Sequence, residues 1–301
     1  MTSANAVPRT SWLRRLWSLP TGAFGIVVVA VLLTTALVSL FWTPFDPRSA
    51  DVAGRWAAPG WPHLLGTDAT GRDLLSLLMA GARTTVLVAV GAGVLATVVG
   101  LALAALGALT SRWVRESVAV LVDILIAFPV LIIAMMISAV WGGSLWVVVW
   151  AVGIGFGVSI ARVSRPELRR VLHSEFVVAA RAAGLTPFQI LVRHLLPNVA
   201  PVFIVQLSWG MAVAVLAEAG LSYLGVGAPV TDASWGVLLA DLQRYLTVYP
   251  LTVIAPGLAI TLTVLGFNLL GDGLREATDP TLSPRTGSAR RARTHVPEVV
   301  S

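Results

Sequence analysis

The chain has 301 residues, 56% of them hydrophobic and only 12% charged, with a net charge of +6; a soluble domain carries about 25% charge. A mean hydropathy of +0.84 argues against a soluble globular domain and for an all-α polytopic membrane protein. Cysteine is absent, which excludes disulfides and cysteine-ligated metals. All 21 basic residues are arginine, so a phosphate-binding loop has no lysine to use.

A membrane-spanning helix needs roughly 20 mostly apolar residues. Six stretches meet that need, at about 23–42, 84–109, 118–140, 144–161, 199–221 and 251–272. The first follows an N-terminal segment, 1–22. It runs into the interfacial pair Phe41-Trp42 without a small-x-small cleavage site, so it reads as a retained anchor and not a signal peptide. The segment 43–83 is rich in Pro, Trp and Gly and reads as irregular. Within it, Asp68 can cap a turn and Asp73 sits early in a helix after Gly71, which predicts a short capped amphipathic helix at the membrane surface.

The second span carries Gly91, Gly93, Gly100 and Gly107, spacings that let helices approach closely. In the third, Asp123 precedes Ala127-Phe128-Pro129. A carboxylate there needs water or a partner; it either pairs with Arg112 or Arg115 or lies near the inner mouth of a pathway. Only Trp141-Gly142-Gly143-Ser144 separates the third and fourth spans, so those two are antiparallel neighbours. The fourth span ends at Arg162, and a polar hairpin, 164–198, follows.

Leu168, Val171, Leu172, Phe176, Ala179, Ala180 and Ala183 recur there at helical spacing. Gly184 bends or caps that helix, Thr186-Pro187 starts a second, and Pro197 stops it. Such a basic amphipathic helix lies on lipid or docks against another protein. In the fifth span, Gln206 and Glu218 are polar groups that face a bundle interior or a pathway. An amphipathic helix, 234–246, precedes the sixth span, and a tail, 273–301, ends in an arginine-rich run that anionic lipid would attract.

Arg48, Arg55, Arg72, Arg83 and Arg244 fall on one side of this arrangement and the other sixteen arginines on the opposite side. By the positive-inside rule the arginine-rich side, with both termini, is cytoplasmic.

The hairpin resembles the "EAA" loop of binding-protein-dependent ABC importer permeases. Ala179, Ala180, Gly184, Leu196 and Pro197 match its pattern, while Val178 stands where the family has Glu. Three further motifs resemble the dipeptide/oligopeptide/nickel branch, with its DppC- and OppC-like subunits: Gly66-Thr67-Asp68 with Gly71-Arg72-Asp73, the run from Asp123 to Pro129, and Glu218-Ala219-Gly220-Leu221-Ser222. The resemblance implies a type I ABC importer transmembrane domain of six transmembrane helices, with core 84–272. It implies a bacterial cytoplasmic-membrane permease for dipeptides or oligopeptides, with nickel chelates or glutathione as alternatives. The partners it implies are a homologous second permease, cytoplasmic ATPase subunits that hold ATP and Mg, and an extracytoplasmic substrate-binding protein. Phe176, Ala179, Ala180, Arg181, Gly184, Leu196 and Pro197 would be the ATPase-coupling residues, with the coupling made through the 167–190 hairpin. Asp123, Gln206 and Glu218 would be pathway or gate residues.

No catalytic constellation competes with this reading. His63, His173, His194 and His295 lie outside the spans, no H-E-x-x-H occurs, and Gly271-Asp272 lacks the G-x-G-D signature of an aspartyl dyad. No metal or nucleic-acid site is expected. A secondary transporter or channel is the alternative of another class, but its midplane acids and repeated halves are not visible. The missing lysine yields a direct expectation. The purified chain should hydrolyse no ATP in the rigorous absence of other subunits, and sustained turnover in a phosphate-release assay would contradict the reading.

Overall fold

The computed structural model describes residues 12–229 and 231–278, apart from the side chains at 108 and 109. The arginine-rich tail and the first eleven residues lie outside that range. Helices α1 (Trp12–Ser18) and α2 (Pro20–Phe41) lead into an irregular segment, then α3 (Leu74–Leu109), α4 (Arg112–Ala127), α5 (Val130–Trp141) and α6 (Leu145–Leu172). The short α7 (Glu175–Ala182) and α8 (Pro187–Ile190) form the hairpin. A π-turn, Leu191–Leu195, joins it to α9 (Leu196–Tyr223), and α10 (Trp235–Leu242) and α11 (Pro250–Thr278) complete the described chain.

α3 and α6 form the centre, and glycine sets their separation. A Cβ on Gly157 would stand 2.6 Å from Val99 Cβ, and one on Gly153 would stand 2.8 Å from Leu95 Cβ. In the other direction Val149 fills the space at Gly91 and Ile160 that at Gly100. Each helix thus inserts branched side chains where its partner has none, which is the packing lipid cannot replace. Gly93 admits Met211 and Leu207 of α9, whereas Gly107 has open space around it. A second glycine seam joins α2 to α11 through Gly25 against Leu270, Gly266 against Val28, and Gly273 against Gly22.

Four helix boundaries differ from the sequence-based expectation, each for a local reason. α3 begins at Leu74 and runs 36 residues, so no separate surface helix precedes the second span. Asp73 starts it as N-cap, its carboxylate accepting from the Ser76 amide at 2.8 Å and the Ser76 hydroxyl at 2.7 Å. The third span is broken instead of straight. α4 and α5 meet at an angle of 76°, because Pro129 cannot donate to the preceding turn and holds Phe128 in an extended conformation. The fourth helix does not end at Arg162 but continues through Pro166 to Leu172. Finally, Pro197 does not stop a helix. The π-turn before it bonds the Leu196 amide to the Leu191 carbonyl, one residue further back than in an α-helix. That shift absorbs the missing proline donor and lets α8 run on into α9.

Five of these helices, α2, α3, α6, α8 with α9, and α11, are long and apolar enough to cross a membrane, and the bent α4–α5 pair makes a sixth. The pair crosses from one end of the bundle to the other. Near its start, Arg165 of α6 donates to the Arg115 carbonyl. Beyond its end, Gly143 lies against Val226 and Gly227, just past the opposite end of α9. Leu16 of α1 packs with Leu274 and Ala277 of α11, so both ends of the described chain meet on the hairpin side.

On the other side the irregular segment and α10 cap the bundle. The Trp235 indole donates to the Leu78 carbonyl at 2.9 Å, and Thr84 to the Ala233 carbonyl at 2.6 Å. Trp56 stacks on Tyr249 at 4.1 Å. This sidedness is open to direct measurement, because there is no native cysteine background. An impermeant thiol reagent added to intact cells should label Gly60→Cys, at an exposed position, and should spare Ala182→Cys on the hairpin until the membrane is opened. Labelling of position 182 in intact cells would invert the orientation.

Candidate functional site

The hairpin is a small folded unit standing off the end of the bundle. α7 ends at Ala182 with Ala183 as its C-cap, and Gly184 follows with φ of +81°. The Leu185 amide donates to the Ala180 carbonyl and the Gly184 amide to the Arg181 carbonyl, at 3.1 and 3.0 Å. Those two bonds define a Schellman ending, which glycine enters at little cost. α8 starts with a capping box: Thr186 Oγ1 accepts from the Gln189 amide, and Gln189 Oε1 accepts from the Thr186 amide. Val177, Ile190, Leu195 and Val199 then close a core against Leu168, Val171 and Ala104 of the bundle. The hairpin is therefore fixed to α6, α9 and the end of α3, and motion of one is felt by the others.

The predicted stripe divides once the turn at His173-Ser174 is in place. Phe176 and Ala179 face outward, as do Arg181 and Gly184, while Ala180 is buried at 8% exposure within the hairpin's own packing. Leu196 is half-buried and Pro197 exposed at the joint with α9. Among the uncovered side chains are three large apolar ones: Phe176 is 46% exposed, Val178 58% and Phe188 71%. Val178 and Phe188 lay outside the periodic stripe, because that signal marks the face a helix buries in its own fold. A stripe out of phase with it, on a segment too polar to enter lipid, was the signal available.

The three pathway candidates do not come together. Asp123 lies 3.8 Å from Arg162 of α6, both side chains being more than half exposed. Its partner is thus Arg162, not Arg112 or Arg115; Arg112 instead pairs with Glu116 at 2.8 Å. Gln206 is half-buried midway along α9. Glu218 is 1% exposed and accepts hydrogen bonds from the Ser222 and Ser234 hydroxyls, each at 2.7 Å. It ties α9 to the start of α10, which lies so close that Gly236 faces the Ala219 carbonyl with no room for a Cβ.

The Gly66–Asp73 motif does comparable work on the cap. Asp68 accepts from the Thr70 amide and hydroxyl, the Arg72 amide and the Arg72 guanidinium, the last at 2.7 Å. Gly71 sits where a Cβ would overlap the Asp51 carbonyl, and His63 contacts Asp73 at 3.0 Å. Among the described residues no cluster of metal-ligating side chains occurs.

Residues 96–284 match the family model described as a binding-protein-dependent transport system inner membrane component. A protein named as a peptide permease in Brucella suis biovar 1 is 36% identical over 259 residues, 85% of this chain and 86% of the relative. The dipeptide transport system permease protein DppC of Alkalihalophilus pseudofirmus is 33% identical over 256 residues, 85% of this chain and 84% of that one. The solved MetNI methionine ABC transporter, in an inward-facing conformation, superposes with a TM-score of 0.54 at 20% identity, covering 67% of this chain and 97% of its own. The fold is that of an ABC importer's transmembrane subunit.

The Schellman turn sets a measurable expectation. At φ of +81° a β-branched residue costs roughly 1–2 kcal/mol. Gly184→Val should therefore leave the spans inserted while amide exchange accelerates over residues 177–190. Gly184→Asn, which tolerates this conformation better, should fall between. Exchange unchanged in the valine variant would show that the turn does not hold the hairpin together.

Proposed function

Because the chain belongs to the binding-protein-dependent transport system inner membrane component family, we propose that it is the permease subunit of an ATP-driven importer that takes up peptides. The observation that carries the reading is 36% identity over 85% of the chain to a peptide permease; a dipeptide permease at 33% agrees with it. The chain itself is a non-catalytic part of the pathway. ATP and Mg belong to cytoplasmic ATPase subunits, the other half of the pathway to a homologous permease, and substrate capture to an extracytoplasmic binding protein. The site of action is the bacterial cytoplasmic membrane, with both termini inside.

Phe176, Val178, Ala179 and Phe188 are the natural grip for the ATPase. They expose apolar surface on an element too polar for the bilayer, the kind of patch that marks a protein contact. In this mechanism ATP draws the ATPases together and they carry the hairpins with them. The hairpin core transmits that displacement to α6 and α9, the helices rock, and the pathway opens outward to receive substrate. Hydrolysis returns it. The force reaches the spans through packed side chains such as Leu168, Ile190 and Leu195, and through a helix that the π-turn keeps unbroken from Pro187 to Tyr223. Ala180 contributes from inside the hairpin, supporting the contact surface without being part of it.

Phe188→Asp should keep membrane abundance but lower ATPase co-purification and dipeptide uptake by about tenfold or more, as for an apolar anchor at an interface. Val178→Glu, which introduces the family's own acid at an exposed position, should be tolerated. Cells carrying the variants would be assayed for labelled dipeptide, with a nickel chelate and glutathione as comparison substrates. Normal uptake with Phe188→Asp would remove the hairpin from the coupling role. Uptake of a comparison substrate but no peptide would overturn the substrate class.

A further inference from the structure

Where α3, α4 and α6 diverge on the hairpin side, they leave a cavity of about 280 Å³. Leu103, Val118, Val122 and Leu168 line its interior. Gly107 opens onto it with no atom near enough to contact a Cβ. Arg115, Arg162, Arg165 and Arg169 also line it, all of them partly or largely exposed. Of these only Arg162 has an acidic neighbour, Asp123 at 3.8 Å. Among the described residues no carboxylate pairs with Arg115, Arg165 or Arg169, since the nearby Glu116 and Glu167 are taken by Arg112 and Arg170. Trp113, 81% exposed at the start of α4, lies two residues from Arg115 in the chain, where an aromatic marks headgroup level.

An apolar slot with uncompensated cations in its lining at the membrane surface has one complementary ligand class. It is an amphiphile with an acyl chain and an anionic phosphate, and basic recesses between spanning helices on this side take such headgroups. We propose that this cavity is a binding site for a phosphate-bearing anionic phospholipid. The acyl chain occupies the space beside Gly107 and Val122, and the phosphate bridges Arg115, Arg165 and Arg169. The lipid then stands between α4, which leads to the bend at Pro129, and the end of α6 that carries the hairpin. The proposal is independent of which substrate is transported.

The test uses the full chain, purified with its accompanying subunits and reconstituted in phosphatidylcholine vesicles. Some vesicles contain phosphatidylglycerol bearing a photoactivatable acyl chain, and others contain a phosphatidylcholine probe with the same chain. Crosslinks are mapped by peptide mass spectrometry. The glycerol lipid should label residues 103–122 and 161–173 in excess over the choline lipid. Combined Arg115→Gln, Arg165→Gln and Arg169→Gln should cut that excess by about tenfold or more. Gly107→Leu, which fills the cavity while favouring helix, should remove labelling there and leave the annular labelling of α2 unchanged. Millimolar inorganic phosphate should not compete. Equal labelling by both lipids, or an excess that survives the arginine changes, overturns the proposal. Full displacement by inorganic phosphate would replace it with a small-anion site.

Discussion

The contact between α3 and α6 governs everything else in this molecule. In a bilayer the hydrophobic effect gives helices no reason to prefer each other over lipid, so association rests on packing quality. Glycines at 91, 100, 153 and 157 bring the two backbones close enough for Val149, Ile160, Leu95 and Val99 to interdigitate. α9 then seats against the pair through Gly93 and Gly210, and α11 and α2 follow through their own glycine seam. Extra methylenes in such a contact cost on the order of 1–3 kcal/mol. The centre is therefore stiff, and movement is displaced to its ends.

Those ends are built differently. The cap is locked by polar groups: Glu218 holds two serines, Asp68 gathers four donors, and Asp73 caps α3 while contacting His63. A buried acceptor with all its donors satisfied resists opening, since breaking one bond leaves another group unpaired. The hairpin end is held by apolar side chains and one left-handed glycine, and it shows its remaining apolar surface to the outside. A rigid cap and a grippable tip, joined by α6 and α9, suit a subunit that is moved by partners and has no chemistry of its own.

Between these ends runs the α4–α5 pair, which bends by 76° at Phe128-Pro129. α4 reaches α6 through Asp123 and Arg162, and Val130, just past the bend, packs on Gly155 of α6. The arginine-lined cavity lies at the foot of α4. A lipid seated there would supply packing that the chain leaves unmade, at the place where the bundle is least glycine-sealed.

Sequence alone determined the membrane class, the apolar stretches long enough to cross, the hairpin and its turning point, because hydropathy over about 20 residues and a glycine at a helix end are local signals. The arginine bias likewise set the expected sidedness without any contact being known. Helix lengths were decided by tertiary structure. Pro166 and Pro197 look like stops, yet a neighbouring core and a π-turn carry both helices through, while Pro129 makes a true break. Partner choice was decided the same way. From the sequence Asp123 had Arg112 and Arg115 as partners, and only the crossing of α4 with α6 selects Arg162. Ala179 and Ala180 are adjacent and chemically identical, yet one faces outward and the other inward. That difference depends on where α6 ends and α7 begins, a turn that side-chain packing positions and local propensity does not.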